Sequence, residues 1–554
     1  MQYIAVVDCA STGQIYIDDI IEMGYRPLAV YNYLDAEHAA SWKANVENVM
    51  KSIGDRADYI NLPKDCSTDD VLSMLKGYDI VCVVPGSEGG VRLADKLNKA
   101  LGLRGNNPDT TYLRCTKAGM YEALGKAGIR RIESAVVTSE EDIRKFWKEN
   151  RLTKAVMKYS ESGGTVGLKI CDSAEACIEH YKLMCSTYNI WGSSESPIMI
   201  QEYIGGTEYI VNSISIDGNH KITDIWRYEK IIQNDGVLVY DTCILVDRLV
   251  PGMQDILQYD YKVLDAVDMK NGFCHNEIKV DEKGPVLIET NARVMGGNLT
   301  REYLDEVFGT HMTDVTLRSL LEPSFFANYM LTPYRPRKST MFKFSIVPRD
   351  VEADLGPFFE LVRHLDSYRE IVYFGDTGIH AYPRTVDLET SPFFIRLISD
   401  DYGKLKRDYE FLRLMEDRYF DMLFATNDNV EASEMKTDIN ALTAVLPLSR
   451  RFAIFEDNKI TVMQYGKTKE SDGMDIYDGA VFAVCGKSTL TQRFRQLILC
   501  MNQVRRGGPI FIVPESYRNL PYGAVGAEAV MTVMGFDAGI PPSTGNGVLY
   551  GIKR

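Results

Sequence analysis

The first hundred residues alternate short apolar runs with segments of helical periodicity. Tyr3–Val7, Pro27–Tyr31 and Ile80–Val84 have the length and composition of buried strands, and turn-forming residues bound them. Helical segments follow the first and third strands, at Gln14–Met23 and up to Ala94. Strand–helix–strand order of this kind predicts an open parallel sheet, whose ligands bind at the carboxyl ends of the strands.

A loop of small residues separates two further predicted strands. Ala155–Lys158 leads into the loop, Val166–Ile170 leads out of it, and Ser162, Gly163 and Gly164 lie at its centre. The amides of such a loop can fold over a triphosphate. A glycine-rich hairpin is more often only a hairpin, so the loop alone is weak evidence. No Walker motif is present, and this excludes a P-loop nucleoside triphosphatase.

The segment from 275 to 297, HNEIKVDEKGPVLIETNARVMGG, predicts two antiparallel strands joined by a turn. Glu277 and Glu289 flank the turn and are expected on one face, because residues opposite each other in a hairpin share a face. Asn291 and Arg293 follow at intervals of two, which keeps them on that face. A charged surface hairpin is the alternative interpretation. The apolar residues at Ile278, Val280 and Ile288 argue against it.

Two carboxylates and an amide oxygen form a ligand set that suits magnesium. We therefore expect Glu277, Glu289 and Asn291 to bind Mg²⁺, and Mn²⁺ would accept the same oxygens. The planar guanidinium of Arg293 can donate two hydrogen bonds at once to an anion beside the metal. Gly296 and Gly297 allow the backbone to approach that anion closely.

The composition narrows the class of protein. A chain of 554 residues is too long for one core, so three or four domains are expected. A net charge of -15 argues against a nucleic-acid partner. The chain has no apolar run long enough for a bilayer and no basic start typical of a signal peptide, so no membrane partner is expected. The eleven cysteines have no metal-site spacing, and a reduced, cytoplasmic protein is the simplest interpretation.

Several segments resemble one enzyme family. The ETNARVMGG segment resembles the metal-binding end of the ATP-grasp superfamily. The segments VVDCASTG, PGSEGGVRLADKLNKALGL, GNNPDTTYLRCTKAGMYEAL and TDIWRYEK are similar to the ATP-grasp amino-acid ligases, which include dipeptide ligases and carnosine synthase. The resemblance ends near residue 430. Nothing in the last 120 residues or so indicates a function.

The resemblance implies a role for each candidate residue. Lys117 and Lys158 would contact the ATP phosphates, the backbone of Glu202, Tyr203 and Ile204 would read adenine, and Glu208 would accept from the ribose hydroxyls. The loop at Ser162, Gly163 and Gly164 would be the phosphate lid. Arg293 and Lys158 would be the catalytic cations. Arg227 and Lys230 would face substrate or form salt bridges within the sheet, and His275 would act at the amino-acid site or be structural. The remaining substrate candidates are Glu88, Gly296 and Gly297.

The fold implied is a multidomain α/β and α+β protein with an ATP-grasp core. Its expected segments are an N-terminal α/β domain at 1–110, a first ATP-binding lobe at 111–205, a second lobe with the metal site at 206–330, a closing α+β subdomain at 331–428 and an α+β extension at 429–554.

The implied function is an ATP-dependent ligase that activates a carboxylate as an acyl phosphate and couples it to an amine. Both substrates are expected to be small molecules, and amino acids are the class that the resemblance implies. Loading of an amino acid onto a carrier protein or peptide stays open as an alternative, as does a homodimer. An ATP-grasp carboxylase is a further alternative. Outside the enzymes, a nucleotide-binding sensor or scaffold would explain the same motifs.

Overall fold

A computed structural model shows the fold. It describes residues 1–33, 40–161, 167–187, 196–233, 237–250, 252–373, 379–388, 390–418, 429–430, 451–457, 459–464, 467–471, 475–486, 488–517, 523–539 and 549–554. The chain divides into two compact units, 1–339 and 340–554. No helix in the described part of the chain is both long enough and apolar enough to cross a bilayer. The predicted division into five segments is finer than these two units and stays a prediction.

The first unit begins with the predicted parallel sheet. Its elements are β1 (Gln2–Val7), α1 (Tyr16–Glu22), β2 (Arg26–Tyr31), α2 (Ala40–Ile53), β3 (Asp58–Asn61), α3 (Thr68–Met74), β4 (Asp79–Pro85) and α4 (Val91–Leu101). The strand order is β3-β2-β1-β4, with every pair parallel. The sequence pattern did not predict β3, because this short edge strand is only partly buried.

The neighbours β1 and β4 bring two loops together at the carboxyl edge of this sheet. Both loops contain glycine, and the contact between them requires it. A Cβ on Gly13 would lie 2.0 Å from the carbonyl oxygen of Gly86. The loop after β4 then forms a 3-10 turn at Glu88–Gly90. One of the substrate candidates therefore lies at this edge, where ligands of parallel sheets usually bind.

A four-stranded antiparallel sheet follows. Its elements, with the helices around them, are α5 (Tyr112–Cys115), α6 (Lys117–Lys126), β5 (Ser134–Val136), α7 (Glu140–Glu149), β6 (Ala155–Tyr159), β7 (Lys169–Cys171), α8 (Ala174–Met184) and β8 (Ile198–Glu202). The strand order is β5-β8-β6-β7. The apolar side chains of α7 and α8 form a core with this sheet, including Ile143, Phe146, Cys177 and Ile178.

The largest sheet of the first unit carries the predicted hairpin. Its elements are β9 (Thr207–Ile216), β10 (Asn219–Ile232), β11 (Leu238–Leu245), α9 (Met253–Ala266), β12 (Gly272–Asp281), β13 (Gly284–Asn291), α10 (Arg301–Phe308), α11 (Met312–Leu321) and α12 (Pro323–Met330). Within the unit its strands run in the order β13-β12-β9-β10-β11. Glu277 lies opposite Glu289 in the β12–β13 ladder, so the predicted pairing is confirmed.

The two faces of this sheet have different roles. Ile278, Val286 and Val211 belong to the core that the sheet shares with α6 and α9. Strand alternation turns the intervening residues to the opposite face. That second face carries Glu277 and its polar neighbours.

The second unit contains a mixed sheet in the order β22-β21-β20-β23-β25-β27-β26, in which β20, β23 and β25 are parallel. The strands of the unit are β14 (Ser339–Phe344), β15 (Val351–Asp354), β16 (Tyr368–Tyr373), β17 (Ile379–Tyr382), β18 (Phe393–Ser399), β19 (Asn429–Val430), β20 (Phe452–Glu456), β21 (Lys459–Gln464), β22 (Lys467–Ser471), β23 (Gly479–Phe482), β24 (Ser488–Thr489), β25 (Pro509–Ile512), β26 (Phe536–Gly539) and β27 (Leu549–Lys553). Its helices are α13 (Gly356–Val362), α14 (Tyr402–Arg418), α15 (Leu490–Asn502), α16 (Pro514–Tyr517) and α17 (Gly523–Val533).

Candidate functional site

One cleft of the first unit collects most of the predicted site. Strands β6, β8, β9, β12 and β13, the start of α6 and the loop after β4 all contribute to its walls. The predicted residues that line it are Glu88, Lys117, Lys158, Glu202, Tyr203, Ile204, Glu208, Lys230, Glu277, Glu289, Asn291 and Arg293.

The predicted metal ligands lie at the end of the hairpin. The Nζ of Lys117 donates to Glu289 Oε1 at 2.7 Å. Lys117 is the first residue of α6, and the hydroxyl of Thr116 caps this helix by accepting from the amide of Gly119. Asn291 uses its Nδ2 to donate to the carbonyl of His275 at 3.3 Å. Glu289 is therefore held by the first residue of α6, and Asn291 by the backbone of β12.

Glu277 is ionised over the whole physiological range. Burial on its own would raise its pKa, but His275, Lys230 and Lys117 outweigh burial and lower the pKa to about 2. The Nε2 of His275 lies 3.6 Å from Glu277 Oε1. Over the described residues, no group of three or more histidine, cysteine or acidic side chains could hold a metal ion. The predicted ligand set is different, because it combines two carboxylates with an amide.

Arg293 and Glu88 form a pair between the hairpin and the parallel sheet. The Nε of Arg293 lies 3.4 Å from Glu88 Oε2, and its Nη1 donates to the carbonyl of Val294. Burial raises the pKa of Glu88 to about 7, although the charge of Arg293 opposes the rise. The loop after β4 thus brings a carboxyl group to the predicted catalytic arginine.

Lys158 lies on β6 and is only 6% exposed. Burial and the neighbouring charge of Lys117 lower its pKa to about 7. A buried ammonium group is costly in the absence of an anion. The cleft therefore presents a cation whose charge a bound phosphate would stabilise.

A second group of charges lies around Glu208. Its Oε1 accepts from Lys230 Nζ at 2.7 Å, and its Oε2 lies 3.9 Å from Lys279 Nζ. The ammonium of Lys230 also lies over the ring of Tyr240, 4.3 Å from the centroid. Burial is the largest single influence on the pKa of Lys230 and lowers it, but Glu208, Tyr240 and Glu277 together outweigh burial and raise this pKa.

The end of β8 lies in the cleft, where Glu202, Tyr203 and Ile204 line its wall. The carboxylate of Glu202 accepts from the amide of Glu133 at 3.2 Å, so it is engaged within the fold. The carbonyl of Ile204 accepts from Lys279 at 3.0 Å. Apolar residues surround this strand end in the cleft; they are Ile132, Val156, Leu168, Ile170, Leu238 and Ile288.

The remaining sequence candidates lie elsewhere. Arg227 pairs with Glu229 at 2.8 Å and does not line the cleft among the described residues. His275, Gly296 and Gly297 are also absent from its described walls. Gly296 and its neighbours pack instead against the loop after β1, where the amide of Asn298 donates to the Ser11 hydroxyl. Ser162, Gly163 and Gly164 lie outside the described residues.

Sequence reasoning missed four residues with polar groups in the cleft, namely Tyr159, Gln201, Tyr240 and Lys279. Strand periodicity offered a signal for Lys279, because it lies two positions after Glu277 on β12. The sequence around Tyr240 has no periodicity that relates this residue to the site. It reaches the cleft only through the pairing of β11 with β10, where it lies opposite Lys230.

Comparison with known proteins identifies the fold. Residues 155–302 match the ATP-grasp domain. The chain is 27% identical to dapdiamide A synthase of Enterobacter agglomerans over 423 residues, which cover 76% of this chain and 97% of that protein. It is 22% identical to the alanine–anticapsin ligase of Bacillus subtilis over 285 residues, or 46% of this chain and 57% of that protein.

A solved structure has the same architecture. The L-amino acid ligase of Bacillus licheniformis superposes with a TM-score of 0.57 at 17% identity, over 74% of this chain and 97% of that one. The predicted fold class is therefore confirmed: the chain has an ATP-grasp fold that begins with a parallel sheet.

Proposed function

We propose that this chain, which has an ATP-grasp fold and is similar to dapdiamide A synthase and to the alanine–anticapsin ligase, joins two small substrates, at least one of them an amino acid, through an amide bond. The first substrate's carboxylate takes the γ-phosphoryl group of ATP, which yields an acyl phosphate and ADP. The amine of the second substrate then attacks the acyl carbon, and phosphate leaves.

One observation carries this proposal. Lys117 and Lys158 come from two separate parts of the chain and meet Glu277, Glu289 and Arg293 of the hairpin segment in one cleft. The cations and carboxylates occupy the same space, which is the arrangement that a metal-bound triphosphate requires. A sensor would need to bind ATP but not to hold cations where the transferred group would lie.

The residues present fit a magnesium ion. Glu277 and Glu289 are neighbours in the ladder, and the low pKa of Glu277 keeps it ionised. The neighbouring strand holds Asn291 by its nitrogen, so its oxygen is the atom that would bind the metal. These three residues would hold Mg²⁺, which would neutralise phosphate charge during transfer.

The cations of the chain would act on the nucleotide. Lys117 now pairs with Glu289, and it would exchange this carboxylate for phosphate oxygens once Glu289 binds the metal. Lys158, which forms no ion pair with a carboxylate among the described residues, would gain a phosphate as its anion. Arg293 would stabilise the charge on the transferring phosphoryl group and then on the acyl phosphate, because its guanidinium can contact two oxygens at once.

The adenosine part would lie at the opposite end of the cleft. The backbone at the end of β8 and its apolar surroundings suit a flat base, and Glu208 suits a ribose diol because a carboxylate offers only acceptors. Lys230 and Lys279 hold that carboxylate in place in the absence of nucleotide. The alternative acceptor, a carrier protein or peptide, would use the same nucleotide chemistry.

A phosphate-release screen over pairs of amino acids, followed by mass spectrometry of the products, tests the function. We expect release that needs ATP, Mg²⁺ and a specific pair. Arg293→Ala should lower turnover about a hundredfold, since loss of a preorganised charge contact costs on the order of 3 kcal/mol in the barrier. Arg144→Ala is the matched control, because Arg144 is an exposed arginine of α7 paired with Glu175. Normal turnover of folded Arg293→Ala would refute the assignment, and bicarbonate-dependent ATP hydrolysis would indicate a carboxylase.

A further inference from the structure

The loop after β4 carries a carboxyl group into the cleft from a rigid position. Glu88 begins the 3-10 turn Glu88–Gly90, which the amide of Gly90 closes by donating to the carbonyl of Ser87 at 3.1 Å. Gly90 packs closely on the end of β1, where a Cβ would lie 2.2 Å from the carbonyl oxygen of Val7. The turn is therefore held against the parallel sheet, and such support suits a side chain that must keep its position in a site.

One oxygen of the Glu88 carboxyl group has no hydrogen-bond donor. Its Oε2 is buried and accepts no hydrogen bond within the described part of the chain, although the Nε of Arg293 lies 3.4 Å away. A buried carboxylate oxygen is costly to leave without a donor. A ligand that brings N–H groups to this point would supply what is missing, and the ammonium group of an amine substrate is such a ligand.

The other carboxylates in the described walls of the cleft have different partners. Two would hold the metal and two lie where adenosine would bind; they are Glu277 and Glu289, and Glu202 and Glu208. Glu88 is the carboxylate that is left for a substrate. It lies beside Arg293, which would hold the acyl phosphate.

The second half of the proposed reaction needs a base. At neutral pH the amine of an amino acid is an ammonium group, whose nitrogen has no free electron pair and cannot attack the acyl carbon. It must first give a proton to a group within hydrogen-bonding reach. A carboxylate beside the acyl phosphate can accept that proton.

The environment of Glu88 suits this task. Burial raises its pKa to about 7; the charges of Arg293, Lys117 and Arg92 oppose the rise, and that of Glu289 adds to it. A base whose pKa lies near the working pH can both take up a proton and release it.

We propose that Glu88 is the catalytic base of amide formation, and that the amine binds with its nitrogen between Glu88 and the acyl phosphate held by Arg293. Glu88 Oε2 takes one proton from the ammonium group. The freed electron pair of the nitrogen then forms the C–N bond. The C–O bond to phosphate breaks, and the leaving phosphate takes both electrons of that bond and the second proton of the nitrogen. This inference rests on the proposed function and adds the place of the amine to it.

Two nucleophiles separate this role from any other. Hydroxylamine is mostly neutral at pH 7, so it converts an acyl phosphate to a hydroxamate without a base, whereas an amino acid needs one. Both products are measured with the full chain, ATP, Mg²⁺ and the amino-acid pair that the phosphate-release screen identifies. Glu88→Gln should lower amide formation about 100-fold or more, because a general base typically contributes at least this factor. It should leave hydroxamate formation close to that of the wild type.

A second variant and a control accompany this test. Glu88→Asp keeps a carboxylate but withdraws it by one methylene, so it should lose less amide formation than Glu88→Gln and no hydroxamate formation. Glu22→Gln is the matched control, because Glu22 on α1 forms another glutamate–arginine pair, with Arg301, and does not line the cleft among the described residues. Both reactions should be unchanged in it. If Glu88→Gln does not fold, Glu88→Asp decides the question by the same comparison.

The outcomes separate the inference from the proposed function. A wild type that forms no amide with any pair of amino acids would overturn the proposed function and the inference with it. Equal losses of amide and hydroxamate in a folded Glu88 variant would show that Glu88 supports Arg293 or the activation of the acid, and this would overturn the inference alone. Normal amide formation by Glu88→Gln would overturn it as well.

Discussion

At the scale of single residues, the acidic and basic side chains of the cleft pair with one another, and a bound ligand would replace these pairs. Glu289 holds Lys117, Glu208 holds Lys230, and Glu88 holds Arg293. Such pairs repay only part of the cost of burial. A metal-bound triphosphate supplies both a cation for the carboxylates and an anion for the ammonium groups, so binding converts these internal pairs into contacts with the ligand.

Lys158 gives a prediction at this scale. The pKa of its ammonium falls from 10.5 to about 7 on folding, so the unfolded chain binds more protons between these values and stability rises with pH across that window. Lys158→Met should therefore raise the free energy of unfolding at pH 7, by on the order of 3 kcal/mol. The same change should abolish tight ATP binding, because the phosphate contact is lost.

Urea unfolding at pH 7 and pH 10, together with ATP titration, measures both effects. The gain in stability should shrink towards pH 10, where the lysine of the native protein is already neutral. Lys169→Met is the control, because Lys169 is an exposed lysine of the neighbouring strand β7. A variant at Lys158 that is no more stable than the wild type, or that binds ATP equally well, contradicts the prediction.

At the scale of elements, the sequence predicted which site residues lie together wherever those residues are close along the chain. Glu277 and Glu289 flank a single turn, so the hairpin alone places them together. The buried polar residues Asn212 and Asp224 lie more than fifty residues earlier, and only the register of β9 against β10 and β12 brings them beside His275. That register depends on packing of the whole sheet, and irregularities within β10 shift it further. Periodicity in one segment cannot predict it.

The turn between β8 and β9 supports a second prediction. Gly206 has a φ of +81°, and a Cβ there would lie 2.0 Å from the carbonyl oxygen of Val280 on β12. Gly206→Ala should therefore push β9 away from β12 at the end that carries Glu208. We expect at least a tenfold weaker affinity for ATP and a loss of stability of about 1–3 kcal/mol.

Gly205 provides the comparison for this variant. A Cβ on Gly205 meets no atom within 4 Å, and its φ lies outside the left-handed region. Gly205→Ala should therefore bind ATP as the wild type does. Equal behaviour of the two alanine variants, in ATP titration and thermal unfolding, would show that the approach of Gly206 to β12 does not hold the nucleotide site together.

At the scale of the whole molecule, the length and composition of the chain indicated several domains but not their boundaries. The parallel sheet and the hairpin were predictable from periodicity, and the resemblance of the first 430 residues supplied the rest of the ATP-grasp fold. The mixed sheet of the second unit pairs β25 with β27 across almost forty residues. Such long-range pairing leaves little trace in the order of apolar and polar residues.

The division of the molecule leads to the last prediction. Every described residue of the cleft lies between 88 and 293, within the first unit. Dapdiamide A synthase aligns over 97% of its length with 76% of this chain, so about a quarter of this chain has no counterpart in that protein. A chain that ends at Arg418, the last residue of α14, keeps 418 of the 554 residues. It should bind ATP with Mg²⁺ within about threefold of the full chain, since the charges that set this affinity are all retained. It should also melt at a lower temperature, because α13 loses its packing against α15.

Full-length protein cut at a protease site inserted between residues 430 and 451 keeps both pieces and separates the two effects. If the cut protein stays folded by circular dichroism but no longer binds ATP, then the nucleotide site depends on an intact connection to the last hundred residues, and the first unit is not sufficient for it.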